Sequence, residues 1–258
     1  MKPYFLAAAL LFACSPPANG QQQSCLDKLD VARTNDEQRP LIVLLESDPW
    51  AMVIGSDSPR LALYNDGLVI YRSDAAFKSV KLNQLELSKF KASLNIGALA
   101  CVLGKYEASD ATDQATETIF VGRGGNLGRV TVYGAPEVPA VPAVVISAYE
   151  RLTKFDHPTA GDWIPASVEV MIWPYEYAPE ASVIWPKQWP GLNSPKAAKR
   201  GEGYSIYLPA TEYPRLIELL KSRKEKGAIE IGGKKWAADV RFPFPHEEEW
   251  MSDLAEGH

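Results

Sequence analysis

The sequence predicts an α+β fold in which antiparallel, hairpin-built sheets are packed by about three to four helices. Short apolar runs are separated by glycine-containing turns, and a segment of helical periodicity follows such runs in both halves of the chain. Because these turns are too short for the crossover that parallel strands need, neighbouring runs are expected to pair antiparallel. With 258 residues and 46% hydrophobic content, the chain can bury a sizeable core in one large domain or two small ones.

The N-terminal half, residues 40–160, is predicted to contain two hairpins, two further strands and two helices. The strongest hairpin signal is Asn65-Asp66-Gly67 between two apolar runs, because a tight turn needs positive φ. Asn83 is placed to cap the first helix. The glycine-rich segment 122–128 lies between two strands, so it is interpreted as a turn and not as a phosphate-binding loop. Predicted strands cover 41–46, 50–54, 60–64, 68–72, 116–121 and 129–133, and predicted helices cover 82–94 and 144–155.

The C-terminal half, residues 161–250, is predicted to contain two strands, one helix and a closing hairpin. The helix has Thr211 as its expected N-cap and Gly227 as its C-terminal stop. The acidic tail, residues 251–258, is expected to fray. Predicted strands cover 168–172, 204–208, 228–231 and 235–242.

A stretch rich in tryptophan and proline, Trp163–Leu192, opens the C-terminal half. Because proline fixes φ and removes a hydrogen-bond donor, the stretch is predicted to be one buried strand that continues into a stiff aromatic loop. Aromatic side chains supply a large contact area, and a rigid loop loses little entropy on binding. In the alternative interpretation, the tryptophans fill the core where the two halves meet. The candidate binding residues are Trp173, Tyr175, Glu176, Tyr177, Trp185 and Trp189.

The sequence contains none of the common catalytic or cofactor-binding motifs. It lacks a nucleophile elbow, a zinc-protease helix motif, a Walker loop, a dinucleotide fingerprint and a calcium loop, so no catalytic residue and no cofactor is predicted. Two cysteines beyond Cys14 and three scattered histidines give no metal-ligand cluster. Glu176 and Glu180 flank Tyr177 and are a candidate carboxylate pair for acid/base cleavage of a glycan. Surface carboxylates with no catalytic role are the alternative explanation.

The distribution of charge bears on the partners of the protein. The formal net charge of −5 argues against a general nucleic-acid binder. From Lys187 to Arg241 there are twelve Lys and Arg against six Asp and Glu. This basic region is suited to an anionic envelope polymer or an acidic partner protein, although a solvated helix face explains most of these lysines equally well.

The first residues have the features of an export signal. Met1-Lys2 supplies a positive end, and the apolar run Tyr4–Ala13 is too short to span a bilayer as a helix. The run ends in Leu11-Phe12-Ala13-Cys14, which resembles the lipobox of bacterial lipoproteins. The resemblance covers only these fourteen residues and implies removal of residues 1–13 and acylation of Cys14. It also implies retention at the outer membrane, because Ser15 and not Asp follows the cysteine. The alternative is a periplasmic or secreted protein cleaved near Gly20.

The remaining cysteines and the polar segment after Cys14 fit an exported protein. Residues 14–39 are predicted to tether the folded body to the membrane. Cys25 and Cys101 form an even pair in an oxidising compartment, so a disulfide between them is predicted. Alternatively they are two unrelated thiols, with Cys101 a small core residue.

The function expected from these features is that of a lipid-anchored, non-enzymatic envelope protein that binds a protein or polymer through the aromatic loop. An inhibitor or immunity role belongs to the same class. A glycan hydrolase that uses Glu176 or Glu180 is the alternative from a different class. The membrane is expected to be contacted through the lipid anchor only.

The lipid anchor has a direct test. Replacing Cys14 with Ser removes the thiol that would be acylated, so we expect Cys14→Ser to abolish labelling with palmitate and sensitivity of processing to globomycin. Labelling or sensitivity that is unchanged in this variant would refute the anchor.

Overall fold

The computed structural model describes residues 38–74, 76–123 and 126–255, and it confirms the α+β fold. Two sheets of eight and six strands are built mainly from antiparallel pairs. The export signal, Cys14, most of the tether and Cys25 lie outside the described residues. Cleavage, acylation and the Cys25–Cys101 disulfide therefore stay predictions.

The strands and helices are numbered here in chain order. The strands are β1 (Pro40–Ser47), β2 (Leu61–Tyr64), β3 (Leu68–Ser73), β4 (Ala76–Lys81), β5 (Gly104–Glu107), β6 (Thr116–Arg123), β7 (Asn126–Tyr133), β8 (Gly161–Asp162), β9 (Ser167–Pro174), β10 (Val183–Ile184), β11 (Ala197–Arg200), β12 (Gly203–Pro209), β13 (Ile229–Ile231) and β14 (Lys234–Arg241). The α-helices are α1 (Gln84–Leu94), α2 (Ile96–Leu99), α3 (Ala143–Thr153), α4 (Tyr213–Ser222) and α5 (Glu248–Ala255), and a 3-10 turn (Ala210–Glu212) precedes α4.

The first sheet has the strand order β5-β7-β6-β1-β2-β3-β4-β8, and the second has the order β10-β13-β14-β9-β12-β11. Within the described ranges, the parallel pairs are β5 with β7 and β10 with β13, both at sheet edges. Every central pair is antiparallel, as the short turns of the sequence predicted.

Two local signals in the sequence are confirmed. The turn between β2 and β3 places Gly67 at a φ of +88°, and a Cβ atom there would lie 2.6 Å from the Leu82 carbonyl oxygen. Asn83 caps α1, because its side chain accepts hydrogen bonds from the backbone of Leu85 and Glu86. The Glu86 carboxylate accepts in return from the Asn83 amide at 2.9 Å and completes a capping box.

The structure differs from the sequence prediction in several places. Residues 50–54, predicted as a strand, form an irregular segment between β1 and β2 that is largely exposed except at Val53. Helix α4 begins at Tyr213 with Glu212 as its N-cap and ends at Ser222 with Arg223 as its C-cap, so the assignments of Thr211 as N-cap and Gly227 as C-terminal stop are wrong. Helix α5 occupies residues 248–255, where the sequence predicted a fraying tail. Its Trp250 is fully buried, which explains why this acidic segment is held against the body.

The core lies on both faces of the first sheet. Alternate residues of its central strands point to opposite sides, since strands have a side-chain period of two. Ile42 and Leu44 face α1, α2 and α3, whereas Val43 and Leu45 belong to a cluster that includes residues of the second sheet, α4 and α5. The first sheet is therefore the middle layer of the protein.

A buried ion network joins the second sheet to the C-terminal segment. Arg241 of β14 is 1% exposed and donates to Glu169 of β9 at 2.7 Å and to Glu247 at 2.6 Å. Burial alone would lower the pKa of Arg241, but the hydrogen bonds and charges of the two carboxylates raise it. Arg200 of β11 reaches the other Glu169 oxygen at 3.0 Å. Two arginines thus balance two carboxylates.

Removing one member of this network should destabilise the protein strongly. We expect Arg241→Met to lower the free energy of unfolding by about 3–5 kcal/mol, because it leaves the fully buried Glu169 without its main partner. Adding Glu169→Gln should recover part of the loss. The control is Lys154→Met, which removes an exposed ion pair and should change stability by less than about 1 kcal/mol. Urea denaturation measures all three, and an equal effect of Arg241→Met and Lys154→Met would contradict the prediction.

Two glutamates lie opposite each other on the helix-covered face of the first sheet. Glu117 of β6 pairs directly with Glu46 of β1. The pKa of Glu117 is raised from 4.5 to about 7, first by burial and then by the charges of Glu46 and Glu137, against a lowering by Arg60. The folded protein therefore binds a proton at Glu117 at pH values where the unfolded chain has released it.

This shift gives the stability a pH dependence with a defined sign. Because the folded pKa of about 7 lies above the unfolded value of 4.5, the stability should fall as pH rises between these values. We expect Glu117→Gln to weaken this fall and to be more stable than the wild type at pH 8. Urea denaturation at pH 5 and pH 8 tests it, with the exposed Glu150→Gln as control. Parallel pH profiles for the wild type and Glu117→Gln would rule out the assignment.

Candidate functional site

The predicted aromatic loop folds as two separate parts. Strand β9 and the turn after it carry Trp173, Tyr175, Glu176 and Tyr177 to one end of the second sheet. The later part of the stretch, after β10, turns back into the core. The six candidate binding residues are therefore not one surface.

Trp185 and Trp189 belong to the core and not to a contact surface. They are 5% and 6% exposed, and their rings meet edge to face at 4.8 Å. The Trp185 indole donates to the Pro190 carbonyl at 3.0 Å, and the Trp189 indole donates to Glu212 at 2.7 Å. Both polar groups are satisfied inside the protein, so the interpretation of these two rings as core residues agrees with the structure.

The other four candidates lie at the surface. Trp173 is 48% exposed and Tyr177 is 93% exposed, while Glu176 is exposed and Tyr175 is half-buried. The turn is closed by a hydrogen bond from the Ala178 amide to the Tyr175 carbonyl at 3.1 Å. Tyr177 therefore projects into solvent from a short, hydrogen-bonded turn.

The segment between β1 and β2 adds further exposed apolar side chains beside these residues. Its Val53 is 3% exposed and packs with Met171, Ala237 and Tyr175. Ala237 is the ladder partner of Trp173, so Val53 fixes the segment next to the end of β9. The exposed members on either side of Val53 are Trp50, Met52 and Ile54.

We call the exposed set the apolar patch; it consists of Trp50, Met52, Ile54, Trp173 and Tyr177. The sequence predicted a strand over residues 50–54, so it did not identify Trp50, Met52 and Ile54 as members of the patch. The sequence does carry a turn signal here, because residue types that favour turns, Ser47-Asp48-Pro49 and Gly55, flank a run of only five residues. In the structure, the Asp48 carboxylate accepts from the Trp50 amide at 2.8 Å, and Gly55 adopts a φ of +84°.

The predicted carboxylate pair is not brought to one cavity. Glu180 accepts a hydrogen bond from the Lys226 amide at 2.8 Å and so helps to hold the chain after α4. Glu176 lines a cavity of about 260 Å³ together with Lys199, Lys234 and Lys235, and Glu180 is not part of its wall. This geometry gives no support to a glycosidase centre built from Glu176 and Glu180; the second carboxylate of the cavity belongs to Glu202.

The described residues show neither a metal-ligand cluster nor a membrane-spanning helix. In these parts of the chain, no three or more His, Cys, Asp or Glu side chains are grouped as a metal site would require. Nor is any described helix both long enough and apolar enough to cross a bilayer.

The fold and the surface together define a class: a two-sheet α+β protein with exposed apolar side chains on the β1–β2 segment and at the end of β9. Comparisons with protein-family models, with curated proteins and with solved structures find no match for this chain.

Proposed function

We propose that this protein is a lipid-anchored, non-enzymatic binding module of the bacterial cell envelope, and that the apolar patch is its contact surface for an envelope protein. The observation that carries the proposal is that the β1–β2 segment and the end of β9, which are held together by the packing of Val53, expose five large apolar side chains. Single exposed apolar residues are ordinary, but several of them on neighbouring segments are characteristic of an interaction site.

The composition of the patch favours a protein partner. Tryptophan and tyrosine are enriched among the residues that dominate binding energy, and methionine adapts to irregular partner surfaces. Trp50, Trp173 and Tyr177 supply the aromatic contact area, and Met52 lies between Trp50 and Ile54 along the β1–β2 segment.

The support beneath the patch is rigid, which lowers the entropy lost on binding. Ser56 donates to Asp239 at 2.9 Å, and the Phe242 amide donates to Ser58 at 2.8 Å. With the packing of Val53, these bonds fix the segment to β14 and to the residue that follows it.

The anchor part of the proposal has separate support from the lipobox resemblance of residues 11–14. An acylated Cys14 would hold the folded body at the outer membrane, where the available partners are envelope proteins.

Site-specific crosslinking in native cells tests the proposed contact surface. A photoreactive residue at Ile54 should crosslink to one defined protein, and the same residue at Leu85 should not, although Leu85 of α1 is also 63% exposed. In the protein with the photoreactive residue at Ile54, the further substitution Trp173→Ser should reduce crosslinking about tenfold or more, because an aromatic hot-spot residue contributes about 2 kcal/mol or more to the binding free energy. Crosslinks to lipid alone, or equal crosslinking from Ile54 and Leu85, would reject the proposal.

A further inference from the structure

A second cavity is lined by residues of both sheets and by residues 56–58 of the β1–β2 segment. Its volume is about 520 Å³, within the range of about 300–1,000 Å³ typical of small-molecule sites. The β3–β4 hairpin forms one side, and α4 with β14 forms the opposite side. We call this cavity the acidic cleft.

Both sides of the acidic cleft carry apolar side chains, and several of these are aromatic. Helix α4 anchors itself in the core with the fully buried Leu216, and it presents Tyr213, Ile217 and Leu220 to the cleft. These three positions share one helix face, because they are spaced four and three residues apart. Phe77 and Phe242 pack across from each other with ring centroids 5.2 Å apart. These side chains can hold the hydrocarbon or ring portion of a ligand.

The rest of the lining is strongly acidic. The carboxylates that line the cleft are Asp57, Asp74, Asp162 and Asp239, and they come from four different segments. Among the described lining residues, Arg72 is the cation. Its Nη2 atom lies 3.4 Å from a carboxylate oxygen of Glu46 in β1. No salt bridge within the described ranges reaches any of the four aspartates.

The electrostatic environment of the aspartates agrees with an excess of negative charge. Burial raises the pKa of Asp57 most, and the charges of Asp48 and Asp239 also raise it, whereas the hydrogen bond from the Asp48 amide and the charge of Arg72 lower it. Arg223 is close enough for its charge to interact with Asp239, but its guanidinium donates to the Ala238 carbonyl at 3.4 Å and does not line the cleft. A cation inside the cleft would relieve repulsion among the carboxylates.

We propose that the acidic cleft is a binding site for a small amphipathic organic cation, whose apolar body lies against α4 and whose amine faces the aspartates. This inference goes beyond the proposed function, because it assigns a second site with a different ligand chemistry. The charge complementarity selects a cation, and the apolar side chains select an amine with an apolar body over a purely polar one. Aromatic faces also attract cations.

Calorimetry on the purified full chain with three matched probes measures separately how the positive charge and the apolar ring contribute to binding. Tryptamine has both the apolar ring and the amine, tryptophol has the same ring without charge, and spermidine has charge without the ring. We expect tryptamine to bind about tenfold or more tighter than tryptophol, since a charged hydrogen-bond partner contributes about 1.5–3 kcal/mol. Spermidine should bind more weakly than tryptamine.

Variants of the chain locate the site. Asp239→Asn and Asp57→Asn should each weaken tryptamine binding about fivefold or more and leave tryptophol unchanged, because they remove charge alone. Ile217→Ser should weaken both indoles, and the exposed Asp110→Asn serves as the charge-matched control with no effect. Thermal unfolding of each variant confirms that it is folded. Equal binding of tryptamine and tryptophol, tryptamine binding unaffected by the two aspartate variants, spermidine binding as tight as tryptamine, or no binding of tryptamine would each overturn the proposal.

Discussion

The buried Arg241 is the constraint on which the arrangement of the second sheet depends. It lies between Glu169 of the central strand β9 and Glu247 before α5, with contacts of 2.7 and 2.6 Å. An arginine removed from water is tolerated only when its charge and its donors are matched, so the strand and the C-terminal segment must take these positions together. The Glu247 carboxylate also accepts from the Phe244 amide at 3.0 Å and fixes the turn that leads into Trp250. A polar contact thus determines how the last helix meets the hydrophobic core.

The β1–β2 segment is the second element that organises the surface. Val53 fills the gap above Met171 and Ala237, and the hydrogen bonds of Ser56 and Ser58 attach the segment to β14. Residues before Ser56 belong to the apolar patch, and residues from Ser56 onward line the acidic cleft. One short segment therefore borders both surfaces.

The sequence predicted the elements whose signals are local. Gly67 in a hairpin turn and Asn83 at a helix start are recognisable because a positive φ and an unsatisfied helix terminus are demands of a few neighbouring residues. Local sequence signals did not distinguish the buried tryptophans from the exposed ones. Trp185 and Trp173 occur in similar Pro-rich surroundings, and only the tertiary structure buries one and exposes the other. The acidic cleft had no sequence signal, since its aspartates come from distant segments.

The energetics of the apolar patch connect it to the proposed anchor. Burying one large apolar side chain contributes about 1.5–3 kcal/mol, so the five members of the patch offer roughly 7–15 kcal/mol before the losses of association. Those losses are themselves about 4–15 kcal/mol, which leaves a weak or moderate complex for two freely diffusing partners. Acylation at Cys14 would confine the protein to the surface that carries its partner and raise the effective concentration of each for the other. A modest patch is then sufficient, because the membrane supplies part of what a larger interface would otherwise have to provide.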